Sequence, residues 1–120
     1  MNVQISKNSL VAASKVSGTY VYNLVGEHLG QVEDVMIHKV DGQVAYAIMG
    51  FGGLLGIGEK FHPVPWSLLK YDTEQGGYLV PLDKDTLMKA PSFGRSELTE
   101  DDTLWRDEIH SYYNVPPYWS

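Results

Sequence analysis

The sequence predicts a mainly β fold, in which short antiparallel strands form a small β-barrel and C-terminal helices pack on it. Three features support this class. Runs rich in β-branched and aromatic residues occupy residues 10–82, glycine-containing turns separate these runs, and helical spacing replaces them in the last third of the chain. We therefore expect a barrel domain at residues 1–93, followed by a helix and an aromatic tail at residues 94–120.

The first predicted strands are residues 19–23 and 31–38. In the second of them the alternation of apolar side chains slips once, at Glu33-Asp34, which indicates a β-bulge of the kind that lets a strand bend. Asp41-Gly42 then predicts a tight hairpin turn, because glycine adopts positive φ without steric cost.

The strand after this turn alternates in side-chain size. It places Val44, Tyr46 and Ile48 on one face, and Ala45, Ala47 and Met49 on the other. Small residues on one face and large ones on the other are typical of a tightly curled sheet. Pro63 and Pro65 cannot donate to a strand ladder, so the predicted strand at residues 60–66 belongs at a sheet edge or at a corner of the barrel. Residues 68–71 and 78–82 predict a last hairpin.

The last third of the chain predicts two helices. Asp83 is a suitable N-cap for a short first helix that ends before Pro91. Thr99 is expected to cap a second helix, with acidic residues in its first turn, where the helix dipole favours them. Trp105, Ile109 and Tyr112 recur at helical spacing and predict an apolar stripe that packs onto the barrel.

Composition and charge exclude several classes of protein. The 120 residues include no cysteine, so disulfides, thiolate nucleophiles and cysteine metal sites are absent. The net charge of −6 makes nucleic acid and anionic membrane surfaces poor partners. No secretion signal and no long apolar run is present, so we expect a cytoplasmic protein without membrane insertion.

No motif in the sequence specifies a reaction, and we predict no catalytic, metal-binding or cofactor-binding residues. The loop from Gly53 to Gly58 has the glycine spacing of a P-loop, but Glu59 stands where the phosphate-binding lysine belongs. The four histidines do not pair at the spacing of a local metal site. His110 falls at the end of a predicted helix, where the dipole accommodates a positive ring.

One segment suggests a contact surface. The glycine-rich loop carries four large apolar side chains, more than a small barrel can bury, and exposed apolar clusters mark interaction sites. These candidate interaction residues are Phe51, Leu54, Leu55 and Ile57. They predict a homodimer, since a two-fold pair is the commonest closed assembly of identical chains. The alternative is a small-molecule site at the barrel mouth beside this loop.

Several segments together resemble the PRC-barrel family, named for the cytoplasmic domain of the photosynthetic reaction centre H subunit. They are Gly26-x-x-x-Gly30-x-Val32, the glycine-rich loop at residues 52–60, and Val64-Pro65-Trp66, in that order. The resemblance spans about residues 10–93, and within the family the chain is similar in pattern to bacterial stand-alone members. It implies a small, strongly bent β-barrel that serves protein contacts and assembly, with no catalytic residues to carry over. A non-enzymatic protein-interaction module, with its partner unidentified, is the function it implies.

Overall fold

The computed structural model describes residues 10–50 and 60–117 of the chain. Their main feature is one six-stranded sheet. Its strands are β1 Tyr20–Tyr22, β2 His28–Ile37, β3 Val44–Gly50, β4 His62–Pro65, β5 Lys70–Asp72 and β6 Gly77–Leu79. They lie side by side in the order β4-β3-β2-β1-β6-β5, so hydrogen bonds do not close the sheet into a ring. The prediction of a mainly β fold is confirmed.

Short helices flank the sheet at both ends of the chain. They are α1 Ala13–Val16, α2 Lys84–Met88, α3 Arg95–Glu100 and α4 Arg106–Tyr113, together with 3₁₀ turns at Trp66–Leu68 and Asp102–Leu104. Among the residues described, no helix has the length and apolar character needed to cross a membrane.

The β2–β3 hairpin follows the sequence prediction closely. The pairing register shifts between Val32 and Asp34, where the alternation of apolar side chains slips. Gly42 has a φ of 77°, the left-handed conformation that a tight turn requires. Both the predicted bulge and the predicted turn are confirmed, because each arises from local backbone geometry.

The prediction of a purely antiparallel sheet is wrong, because β1 and β6 pair in parallel. Val21 lies opposite Tyr78, and the backbone N–H of Val80 donates to the carbonyl of Tyr22 over 2.9 Å. The strands approach so closely at Gly77 that a β-carbon there would collide with the carbonyl oxygen of Tyr20. Side-chain alternation records which face a residue occupies, not the direction of a distant partner strand, so the sequence did not predict this pairing.

Strand β4 lies at one edge of the sheet, as its prolines predict. Beside it, Phe61 and Phe93 exchange two backbone hydrogen bonds, of 2.8 and 2.9 Å. The edge is therefore partly covered where the chain leaves α2 and approaches α3.

The first core cluster lies on one face of the sheet and is largely aliphatic. Its buried members are Val16, Val21, Leu29, Val32, Ala47, Met49, Val64, Leu69, Tyr78, Val80 and Leu87. The second core cluster lies against the opposite face of β3 and is largely aromatic. Its buried members are Tyr46, Ile48, Phe61, Leu98, Trp105 and Ile109. Alternate residues of β3 thus enter different clusters, and both faces of this strand are buried.

The prediction that Thr99 caps a helix is wrong. Thr99 lies inside α3, and its hydroxyl donates to the carbonyl of Arg95 over 3.1 Å. Asp101 caps the following 3₁₀ turn instead, and α4 begins only at Arg106. The acidic run allows more than one helix start, and the sequence does not choose among them. The predicted N-cap at Asp83 is confirmed, since its carboxylate accepts from the backbone N–H of Thr86.

The predicted apolar stripe is correct at two of its three positions. Trp105 and Ile109 are buried in the second core cluster, whereas Tyr112 is 39 % exposed and donates its hydroxyl to the carbonyl of Thr86 over 2.6 Å. Tyr113 packs against both clusters in its place. The spacing from Ile109 to Tyr113 is four residues, which also brings two side chains onto one helix face.

Candidate functional site

An open cleft of about 400 Å³ lies between the turn of the β2–β3 hairpin and the chain around α3. We call it the hairpin cleft. One wall is formed by residues 36–40 and 45–46, and the other by Leu98, Thr99, Glu100, Asp102, Trp105 and Arg106. The cleft therefore joins the sheet to the C-terminal helices.

The hairpin wall exposes apolar side chains next to a hydrogen-bonded turn. Ile37 is 50 % exposed and Val40 is 89 % exposed. The carboxylate of Asp41 accepts from the backbone N–H of Gln43 over 2.9 Å, and it lies 3.1 Å from Nδ1 of His38. The hydrogen bond from Gln43, followed by that from His38, lowers the pKa of Asp41. These contacts hold the turn that presents Val40 to solvent.

The helical wall carries two acidic side chains, Glu100 and Asp102, and one basic side chain, Arg106; Asp101 lies next to the wall but does not line the cleft. Asp101 accepts from the hydroxyl of Thr103 over 2.6 Å, which is the main reason that the pKa of Asp101 is lowered. Asp102 pairs with the guanidinium of Arg106 at 3.0 Å, one helical turn further on. Glu100 is exposed at the end of α3. This wall thus presents carboxylates to the cleft, one of which is compensated by an arginine.

The cleft is backed by buried aromatic residues of the second core cluster. The indole N–H of Trp105 donates to the carbonyl of Leu98 over 3.3 Å, which ties the 3₁₀ turn to α3. The rings of Trp105 and Tyr46 meet edge to face, with centroids 5.0 Å apart. These buried rings form the floor of the cleft.

A buried polar pair lies behind this floor. The hydroxyl oxygen of Tyr46 is 2.6 Å from Nε2 of His110, and Nδ1 of the same ring is 3.0 Å from the carbonyl of Val115. A carbonyl only accepts, so Nδ1 carries a proton, and in the neutral ring Nε2 accepts from Tyr46. His110 is therefore a buried structural residue, which the helix-dipole interpretation of the sequence did not predict.

The remaining histidines lie in separate environments. His28 packs against the rings of Tyr20 and Tyr22, with centroid distances of 4.5 and 5.7 Å. Burial lowers the pKa of His62, which lies on β4. Within the described part of the chain, no three histidine, aspartate or glutamate side chains gather where they could hold a metal ion.

The candidate interaction residues Phe51, Leu54, Leu55 and Ile57 lie outside the described residues, as does the P-loop-like spacing from Gly53 to Gly58.

Comparison with known proteins identifies the family of this chain. The family model of the PRC-barrel domain matches residues 9–87, which include all six strands described here. The chain belongs to the PRC-barrel domain family. No curated protein matches the sequence. The PRC-barrel match ends within α2, so the helical wall of the hairpin cleft comes from residues beyond it.

Sequence reasoning did not identify the hairpin cleft, although one local signal pointed to it. Ile37 and Val40 flank a turn that is otherwise polar, and apolar residues beside a hairpin turn are candidates for exposure. The helical wall had no comparable signal, because its position depends on the packing of Trp105 against a strand about sixty residues earlier in the chain.

Proposed function

We propose that this PRC-barrel protein is a non-enzymatic protein-interaction or assembly module, and that the hairpin cleft is one of its contact surfaces. The observation that carries this proposal is the exposure of Ile37 and Val40 at the mouth of a cleft whose floor is formed by buried aromatic rings. Apolar groups at the centre of a contact, with charged groups at its rim, are the usual arrangement of protein interfaces.

The proposal includes finer features that the sequence predicts. We propose that the sheet is strongly bent into a barrel and that residues 94–120 serve as a unit packed on it. The burial of Trp105 and Ile109 against Tyr46 supports this packing. The dimer contact through Phe51, Leu54, Leu55 and Ile57 and the cytoplasmic location remain predictions from sequence.

Site-specific photo-crosslinking in cells of the source organism tests the proposed surface. A crosslinking amino acid placed at Val40 should give discrete protein adducts, and the same group at Leu24 is the control. Leu24 is 67 % exposed and lies in the β1–β2 turn, outside the cleft. Placement at Leu54 examines the loop predicted from sequence in the same experiment. Equal labelling at Val40 and Leu24 would contradict a specific contact at the cleft.

A small-molecule site is the second candidate, and the size of the cleft favours it. A volume of about 400 Å³ falls within the usual range of ligand pockets. Native mass spectrometry of gently purified protein separates the two functions. A retained small molecule that is lost on the substitution Val40→Glu would support the binding function, and an unliganded mass would count against it.

A further inference from the structure

We propose that the hairpin cleft binds the hairpin of a second copy of this chain. The resulting dimer has two-fold symmetry, and Lys39 of each copy faces Glu100 of the other. This inference rests on the proposed assembly function and specifies one partner for it. It uses a different surface from the glycine-rich loop.

The charges of the two walls carry the inference. On the helical wall Asp102 is paired with Arg106 at 3.0 Å. On the hairpin wall His38 contacts Asp41, which lies next to the wall, at 3.1 Å. These contacts leave Lys39 and Glu100, both exposed, one on each wall. Neither takes part in an ion pair within the described part of the chain.

A surface that is positive on one side and negative on the other is complementary to itself under two-fold rotation. The rotation brings the positive side of one copy onto the negative side of the other, and the reverse contact forms at the same time. A surface of a single charge would instead repel its own copy. The arrangement of Lys39 and Glu100 therefore selects a second copy of this chain as the occupant.

The apolar residues fit the same arrangement. Val40 is 89 % exposed at the turn and is the side chain best placed to enter the cleft of the other copy. Ile37, half exposed on the same wall, extends the apolar contact.

The cleft admits only a few side chains, so the contact is smaller than a standard protein interface and the dimer should be weak and reversible. Sedimentation velocity over a range extending to high micromolar concentration is the suitable measurement. The full chain is used throughout, with circular dichroism to show that each variant remains folded.

Charge reversal gives a test that intrachain effects cannot imitate. Lys39→Glu alone and Glu100→Lys alone each place like charges opposite one another twice in the dimer. Each variant should therefore weaken association about tenfold or more. An equimolar mixture of the two variants restores both opposite-charge contacts in the heterodimer, and the mixture should associate as the wild type does. Lys70→Glu and Glu108→Lys are the matched controls, since both residues are exposed and neither lines the cleft.

Each result decides the proposal. Loss of association in both single variants with recovery in the mixture supports it. A monomeric wild type, or a dimer that neither single variant weakens, overturns it. Failure of the dimer is distinct from failure of the assembly function. In the first case a crosslinker at Val40 still captures other proteins, whereas in the second it captures none.

Discussion

The two core clusters differ in where their residues come from and in what they contain. Every buried member of the first core cluster lies within residues 9–87, the range of the PRC-barrel match, and most are aliphatic. The second core cluster draws Leu98, Trp105 and Ile109 from beyond that range and is rich in aromatic rings. It also lies beside the polar pair of Tyr46 and His110.

The two clusters therefore differ in how they relate to the family match: the first lies within its range, and the second extends beyond it. The first core cluster holds together strands that the family model covers, whereas the second packs the C-terminal helices on the opposite face of β3. The hairpin cleft forms between these two regions, because one of its walls belongs to the hairpin and the other to residues beyond the family match. Substitutions in the second core cluster should therefore affect the cleft most directly.

The largest effect is expected from Trp105→Ala, which removes a ring that is only 1 % exposed. Loss of a buried tryptophan costs about 3–5 kcal/mol, through lost burial and the cavity left behind. Denaturant unfolding measures this cost, and Trp66→Ala is the control, since Trp66 is only partly buried beside the first core cluster. A smaller loss of stability for Trp105→Ala than for Trp66→Ala would contradict the claim that Trp105 is a major contributor to the second core cluster.

The next effect concerns the parallel pairing of β1 with β6. Gly77→Ala places a β-carbon against the carbonyl oxygen of Tyr20, and the strands must separate to admit it. We expect a loss of about 2 kcal/mol, as for other overpacked sites. Gly94→Ala is the control, because a β-carbon there meets only Glu97 Oε1 at 3.4 Å, an ordinary contact. Equal midpoints for the two variants in denaturant would argue against the close approach.

A smaller effect is expected from the polar pair behind the cleft. Tyr46→Phe removes the hydroxyl and leaves Nε2 of His110 without that donor, at a cost of about 1–2 kcal/mol. Tyr113→Phe is the matched control, because the buried Tyr113 hydroxyl makes no hydrogen bond within the described residues. Unfolding experiments should find Tyr113→Phe close to the wild type. A larger loss of stability for Tyr113→Phe than for Tyr46→Phe would contradict the stabilising role of the hydrogen bond between Tyr46 and His110.

Tyr113 also predicts how stability responds to alkali. Burial raises the pKa of Tyr113 well above its usual value, and neighbouring Tyr112 adds to the rise. The folded state therefore holds the hydroxyl neutral at a pH where the unfolded chain ionises it. Stability should fall as the pH rises above about 10, the ordinary pKa of tyrosine. The fall should be shallower in Tyr113→Phe, as measured by denaturant midpoints between neutral and alkaline pH. Identical slopes in the two proteins would exclude this contribution.

The sequence predicted those features that depend on neighbouring residues. The bulge at Glu33-Asp34, the turn at Gly42 and the cap at Asp83 each arise from local geometry. The parallel pairing of β1 with β6 and the contact between Tyr46 and His110 join residues more than fifty positions apart. The residue types in these contacts do not indicate which distant residue each one pairs with, so the contacts are seen only in the folded structure. The hairpin cleft was missed for the same reason.

The smallest effect is expected at Gly42, in the turn that joins the two strands shared by both core clusters. Gly42 has a φ of 77°, and a β-carbon there would meet no atom within 4 Å, so any cost comes from backbone conformation and not from crowding. Gly42→Val should lose about 1 kcal/mol, because branched side chains disfavour the left-handed region. Gly42→Asn should lose less, since asparagine tolerates that region. Tryptophan fluorescence and far-ultraviolet circular dichroism should report the same midpoint, because strain in this turn weakens both clusters together. A wild-type midpoint for both variants would show that the turn does not constrain the hairpin, and separate midpoints for the two probes would show that the clusters unfold independently.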